Sequence, residues 1–232
     1  MKTQRLLLTP LDSEQLRQAA LTEPDPEMRG ALSEMLAGAE KDPGNRLWYT
    51  NWEISLRQSG EKIGSLGFKG PPDCGAVELG YGIDPAHAGQ GYATEAAEAA
   101  VDWAFSRRDV RFVTAETAPE NAASQRVLEK LGFLPTGRSG RAGPRFEKAQ
   151  PFQSRTAVYL CFGMSIGLAL GSPWDKSSLC MLLGIGAGAA LGQLLDAAER
   201  KKRADLCARR LHKENATPPQ EAAAPGEGTR RP

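Results

Sequence analysis

The sequence predicts an α/β (α+β) protein, with a mixed, mostly antiparallel central sheet and flanking helices over residues 1–150, followed by a C-terminal α-helical hairpin. Three observations carry this. Apolar residues alternate with period two between Leu47 and Arg57, the period switches to 3.6 after Pro85, and two charge-free apolar runs, 156–171 and 178–195, follow Pro151. At 232 residues the chain is long enough for one ordinary domain and an appendage. Its 29 Lys+Arg and 28 Asp+Glu leave a net charge of +1, which argues for neither a nucleic-acid partner nor an acidic tail. The balance is nevertheless uneven, with 18 basic and 21 acidic residues up to residue 150 and 11 and 7 after it.

Arg5 to Leu11 reads as a first strand, closed by Pro10 and a helix cap at Asp12 or Ser13. Pro24 and Pro26 split the helical pattern of Ser13 to Ala39 into one or two short helices. Trp48, Thr50, Trp52, Ile54 and Leu56 alternate with Tyr49, Asn51, Glu53 and Ser55, predicting a half-buried strand from Leu47 to Arg57. The Ser59-Gly60 turn leads to a strand over Lys62 to Lys69, and Gly70-Pro71-Pro72-Asp73 turns into another over Ala76 to Ile83, which completes an antiparallel meander. Ala93, Ala96, Ala97, Ala100, Val101, Ala104 and Phe105 then form one stripe of an amphipathic helix, with Glu95, Glu98 and Asp102 opposite. A short strand at Phe112 to Glu116 precedes a second helix that starts near Asn121 and ends at Gly132, and extended pieces surround Phe133 and Phe146.

The most informative stretch is Glu78 to Glu95, ELGYGIDPAHAGQGYATE: a strand, a short loop and Gly89-Gln90-Gly91-Tyr92-Ala93 entering a helix. Such a loop offers unpaired backbone N–H groups at the positive end of the helix dipole, a place for a phosphate or pyrophosphate. The spacing is neither G-x-G-x-x-G nor G-x-x-x-x-G-K-[ST], which argues against dinucleotide and P-loop sites. Four cysteines without a C-x-x-C pair and only two histidines, His87 and His212, make a disulfide framework or a zinc site improbable. The opening MKTQRLLLTPLDSEQ has an apolar run of three leucines, too short for a secretory signal, so a reducing cytoplasm is expected.

In four pieces the chain resembles the GNAT family of acetyl-CoA-dependent N-acetyltransferases, particularly its ribosomal-protein N-terminal branch: TQRLLLTPL, ELGYGIDP, GQGYATEA followed by DWAF, and AETAPENAASQRVLEKLGF. The resemblance covers about residues 3 to 147. It implies a sheet that splays between the fourth and fifth strands, with acetyl-CoA as co-substrate in the opening. Tyr81, Gly82 and Ile83 would line the pantetheine, and Gly89, Gln90, Gly91, Tyr92, Ala93 and Thr94 would cradle the phosphates. The family's loop pattern [QR]-x-x-G-x-[GA] puts Arg or Gln where this chain has Ala88, a lost cation next to phosphate. Asn121 matches a cofactor-contacting position. Many members place a tyrosine seven residues later to protonate the departing thiolate, and that position here is Leu128; in the branch resembled, a serine takes the role, which makes Ser124 the general-acid candidate.

Glu78, with Gly80 and Gly82 on its strand face, is the candidate general base for the incoming amine, with a salt-bridged structural glutamate or an amine-binding group as alternatives. Glu95, Glu98 and Glu129 read as solvated helix faces and His87 as a surface residue. Trp48, Tyr49 and Trp52 either border the acceptor pocket or belong to the core. Attack is expected to be direct, because Cys74 has no evident His partner, with a backbone N–H of the Leu79 to Tyr81 strand polarising the thioester carbonyl. The implied reaction is acetyl transfer from acetyl-CoA to a primary amine, either a protein N-terminus or a small molecule. The alternative is a catalytically weak or inactive CoA-binding module tethered by the hairpin.

The domain reading is 1–150 for the acetyltransferase-like unit, 151–199 for a glycine-rich hairpin and 200–232 for a basic helix extension with a disordered tail from Asn215. Gly163, Gly167 and Gly171, and Gly184, Gly188 and Gly192, recur every fourth residue and make two smooth grooves expected to face each other, as in a glycine zipper. The hairpin would associate with a membrane or with itself, and Arg200, Lys201, Lys202, Arg203, Arg209 and Arg210 would lie on the cytoplasmic side.

Overall fold

The computed structural model describes residues 1–171 and 177–216. The joining segment after Gly171 and the Pro/Gly/Ala-rich tail beyond Ala216 lie outside the described residues. Two compact units result, one of residues 1–150 and a second beginning at Pro151.

The first unit contains β1 (Leu6–Pro10), α1 (Ser13–Thr22), α2 (Pro26–Lys41), β2 (Asn51–Leu56), β3 (Lys62–Phe68), β4 (Ala76–Ile83), α3 (Tyr92–Phe105), β5 (Phe112–Glu116), α4 (Ala122–Lys130), β6 (Leu134–Ser139) and β7 (Pro144–Ala149). Its seven-stranded sheet has the order β1-β2-β3-β4-β5-β7-β6. The β4–β5 pair is parallel and all the others are antiparallel. Asp12 caps α1 in a capping box with Gln15, and Pro26 opens α2, where its missing N–H leaves no bond unmade.

β2 begins later than its alternating pattern predicts. Pro43–Trp48 forms a 3-10 helix instead, with Pro43 at its first turn and the Tyr49 N–H donating to the Arg46 carbonyl, a local bond that takes the place of a ladder bond there. The predicted face survives even so: Trp48, Thr50, Trp52 and Ile54 are all buried. Trp48 and Trp52 pack on Trp103, and Trp48 also packs edge-on to Phe68 at 5.0 Å between ring centres. Both indoles therefore belong to the core, while Tyr49 is partly exposed.

α3 buries Ala96, Ala97, Ala100, Val101 and Ala104 in the same core as Ile54, Ile63, Leu66, Phe68, Val77 and Leu79. Four methyl side chains on one helix stripe let its backbone lie close to the sheet. A larger residue there, Ala100→Leu for example, would overpack the layer at about 1–3 kcal/mol. This close seat holds the N-terminus of α3 beside the end of β4. Leu16, Ala20 and Leu32 make a separate small cluster between α1 and α2.

The second unit is α5 (Thr156–Gly171) and α6 (Ser177–Ala216), the latter running without interruption through the basic segment. The helices are antiparallel. A Cβ added at Gly163 would collide with the Gly184 carbonyl, one at Gly167 with Cys180, one at Gly188 with Tyr159, and one at Gly192 with Thr156. Asp196 of α6 closes the open end: it accepts from Ser154 Oγ at 2.6 Å, from the Arg155 N–H at 2.9 Å and from Thr156 Oγ1 at 2.8 Å. The Ser154 bond, then the backbone N–H of Arg155, hold its carboxyl at about 2, below the ordinary 3.8. The cap of α5 thus comes from the other helix.

Large apolar side chains of this unit point outward. Phe162, Ile166, Leu170, Leu182, Leu183 and Leu194 are all exposed, Leu194 to 69%. Within Ser178–Lys213 the helix is long and apolar enough to cross a membrane by length and composition, and Thr156–Leu170 is a shorter apolar helix.

Candidate active site

β4 pairs with β5 only at Ala76↔Phe112, Val77↔Val113 and Glu78↔Thr114. Beyond Glu78, residues 79–83 keep β3 as their partner, from Phe68↔Leu79 to Gly64↔Ile83. The sheet therefore splays after Glu78, and one backbone edge of β4 faces the opening. Nothing would obstruct a Cβ at Gly80 or Gly82, so the face they share is clear.

The chain leaves β4 through Asp84 and a short 3-10 turn and enters α3 at Gly91, a left-handed N-cap with φ +82°. Gly89 is also left-handed, at φ +76°. Both conformations favour glycine, and together they leave the first N–H groups of α3 uncovered by side chains. Gln90, Tyr92, Ala93 and Thr94 complete the loop and the first turn. Arg5 reaches this turn from the start of β1. Its Nε donates to Glu95 Oε2 at 2.7 Å, Nη1 donates to the Gln90 carbonyl at 3.0 Å, and the guanidinium lies 4.5 Å from the centre of the Tyr92 ring. Glu95 also accepts from Thr3 Oγ1 and from the Arg5 N–H. Burial pushes the Glu95 carboxyl up, but the bonds from Thr3 and Arg5 outweigh it and hold the group below its ordinary value.

Tyr81 extends from the open part of β4 toward α4. Its hydroxyl lies 3.0 Å from Ser124 Oγ, with either oxygen able to donate, and 3.3 Å from the Ser124 carbonyl. Burial raises the phenol above its ordinary value, partly offset by the Ser124 hydrogen bond. Asn121 caps α4 by accepting from the Ser124 N–H at 3.0 Å. That bond fixes the turn which presents Ser124, and Leu128, one turn further, is fully buried.

Glu78, at the splay point, is engaged on both oxygens: Lys69 Nζ pairs with Oε1, and Arg145 Nη2 lies 3.3 Å from Oε2. Arg145 also pairs with Glu116 at 2.8 Å. A shared guanidinium thus ties the last paired residue of β4 to the end of β5.

A sequence model described as an acetyltransferase (GNAT) domain matches residues 5–134. The chain belongs to the GNAT family. It is 39% identical over 87 residues to the uncharacterised N-acetyltransferase YjdG of Bacillus subtilis, an alignment that covers 37% of this chain and 52% of YjdG. It is 31% identical over 87 residues to the uncharacterised N-acetyltransferase p20 of Bacillus licheniformis, across 37% of this chain and 49% of that protein. The chain thus spans about half the length of these curated relatives. Among solved structures, an acetyltransferase from Agrobacterium tumefaciens is 28% identical with a TM-score of 0.50, across 65% of this chain and 94% of that one.

The GNAT fold brings most of the residues singled out from the sequence into one region. Tyr81, Gly82 and Ile83 lie on the open edge, Gly89 to Thr94 form the α3 entrance, and Tyr81 meets Ser124, whose N–H donates to Asn121. Two expectations are corrected. Glu95 is clamped by Thr3 and Arg5, its side chain only 16% exposed, because the first strand docks against the start of α3. His87 is half-buried, its Nε2 3.5 Å from Glu61 Oε1 and its ring tilted beside Tyr92, because the 3-10 turn folds it inward. For Trp48 and Trp52 the structure selects the core alternative. Arg5 was not singled out from the sequence. Its signal is the pairing of an early TQR segment with Glu95 in GYATE, 90 residues away, which no local pattern connects.

Proposed function

We propose that residues 1–150 transfer acetyl from acetyl-CoA to a primary amine, a protein N-terminus or a small molecule, by direct attack. The observation that supports this most is the meeting, at the splay after Glu78, of an open β4 edge, a left-handed glycine entrance to α3 and the Ser124 hydroxyl. The free edge at 79–83 suits an amide-bearing pantetheine arm, which adds to a sheet as a strand does. The amides of Gly89 to Thr94 suit the pyrophosphate, and Asn121 the neighbouring part of the donor. A β4 N–H between Leu79 and Tyr81 would polarise the thioester carbonyl, and Ser124 would donate to the leaving sulfur.

Glu78 stands differently in this reading. Carboxylate oxygens engaged by Lys69 and Arg145 favour a role in orienting the acceptor side of the cleft over direct proton abstraction. Thiol release from acetyl-CoA with a panel of amines and peptide N-termini tests the activity. Ser124→Ala should lower kcat by about tenfold to a thousandfold with little change in the KM for acetyl-CoA. A variant as fast as wild type would return Ser124 to a structural role, and CoA binding without turnover of any amine would favour the non-catalytic module.

The same proposal assigns the hairpin to a lipid bilayer. Its support is the outward display of large apolar side chains over two charge-free runs, bordered by Arg200, Lys201, Lys202 and Arg203. The full chain should float with anionic vesicles, and a chain ending at Gln150 should stay in solution with its kcat within about twofold of the full chain. Discrete oligomers of the full chain that ignore vesicles would replace lipid by self-association.

A further inference from the structure

A serine hydroxyl is a weak proton donor on its own, and the residue one helical turn past Ser124 is the buried, apolar Leu128. The fold supplies a phenol from another direction. Tyr81 stands three residues past the last β4–β5 pair, on the open stretch of β4, and its oxygen meets Ser124 Oγ at 3.0 Å. The two residues arrive from a strand and a helix 43 positions apart, so the contact belongs to tertiary structure. Asn121 holds the Ser124 N–H, which leaves Oγ free to turn between Tyr81 and the opening.

We propose that Tyr81 is the positioning residue for Ser124, holding its hydroxyl in the donating orientation and refilling it with a proton after each turnover. This rests on the acetyltransferase reading. As the amine nitrogen bonds to the acetyl carbon, the carbon–sulfur bond breaks and sulfur leaves with the electron pair. Ser124 Oγ gives its proton to that sulfur, Tyr81 gives its own to Oγ, and Tyr81 regains one from water. The proton lost by the acceptor nitrogen goes to solvent, so the overall balance is amine plus thioester to amide plus thiol. A phenol, with an ordinary value of about 10, is a far better reservoir than an alkyl alcohol.

Tyr81→Phe removes one oxygen and keeps the ring that packs against the core. It should lower kcat about tenfold to a hundredfold with the KM for acetyl-CoA within about twofold, and it should remove the alkaline fall of kcat that ionisation of Tyr81 produces in wild type. Combined with Ser124→Ala, it should add almost nothing to the loss from Ser124→Ala alone, because the two act as one unit. A measurement independent of turnover is the NMR titration of ring-labelled tyrosine. Tyr81 should titrate above the ordinary value, and further upward in Ser124→Ala, which deletes the hydrogen bond that lowers it. Full activity in Tyr81→Phe, additive losses in the double variant, or a Tyr81 titration indifferent to Ser124→Ala would overturn the proposal. Absence of turnover with every amine would instead defeat the acetyltransferase reading, and the NMR titration would still decide whether the two hydroxyls are coupled.

Discussion

The two units of this chain are built inside out with respect to each other. In residues 1–150, Leu6, Leu8, Ile54, Ile63 and Phe68 are buried, and the glycines at the mouth of the site, Gly89 and Gly91, are exposed and left-handed. In the hairpin, Gly163, Gly167, Gly184 and Gly188 meet the opposite backbone, while Phe162, Leu182, Leu183 and Leu194 face outward. Water explains the first arrangement, since apolar area leaves it at about 25 cal/mol per Å². The second rests on a different contact. Its helices hold by close backbone packing, the contact that remains effective in hydrocarbon. The same residue type therefore does two jobs, supplying a backbone shape in one unit and an absence of volume in the other.

That contrast can be broken at chosen positions. The largest effect is expected from Gly184→Leu, whose side chain would collide with the Gly163 backbone. It should separate the helices, with a loss of about 3 kcal/mol or more in hairpin stability followed by hydrogen exchange, and leave acetyl transfer unchanged. Gly186→Leu, two residues on, has open space and should be close to neutral. Equal effects at the two sites would refute close packing as the basis of the hairpin.

A smaller effect is expected from Gly91→Val. The position has open volume apart from Arg5 Nη2, so the loss comes from forcing a β-branched residue to φ +82°. CoA affinity should fall at least about tenfold by calorimetry, together with some loss of fold stability. Gly91→Asn, which tolerates the left-handed region, should recover most of both. Failure of Asn to rescue would make bulk, not backbone shape, the reason for glycine there.

The smallest effect belongs to Asp196. Its carboxyl is held at about 2 when folded against an ordinary 3.8, so the clasp stabilises fully above the ordinary value and is lost as pH falls from about 4 through 2. Helix content of the hairpin should decline across that window, and Asp196→Asn should flatten the decline. In residues 1–150 the corresponding carboxylate is Glu95, whose bonds from Thr3 and Arg5 would also weaken on protonation, so Asp196→Asn should flatten the decline of the hairpin alone.

Most strands and helices were legible because each carries its own period or punctuation: the meander from Gly60 and Gly70, α3 from its alanine stripe, α4 from Asn121 and Gly132. The start of β2 was not, since alternation of Trp48 with Tyr49 fits a 3-10 turn that buries the same face. The glycine entrance and Ser124 were visible as linear motifs. Glu95 was misread because its partners, Thr3 and Arg5, lie about ninety residues away in sequence. Tyr81 was visible as part of ELGYGI, but its meeting with Ser124 depends on how β4 and α4 pack, which neither segment encodes alone.

The lengths of the hairpin helices set a condition on the bilayer they would enter. α5 has 16 residues, a rise of about 24 Å, and the charge-free run 178–195 rises about 27 Å, against a hydrocarbon thickness of about 30 Å. The Asp196 clasp fixes one end of both helices at the same level, so neither can slide to make up the difference. Such a pair would thin the lipid around it and partition toward thinner membranes at a fraction of a kcal/mol per Å of mismatch. Lipid chain length would then act beside headgroup charge in deciding where in a mixed membrane the attached unit collects.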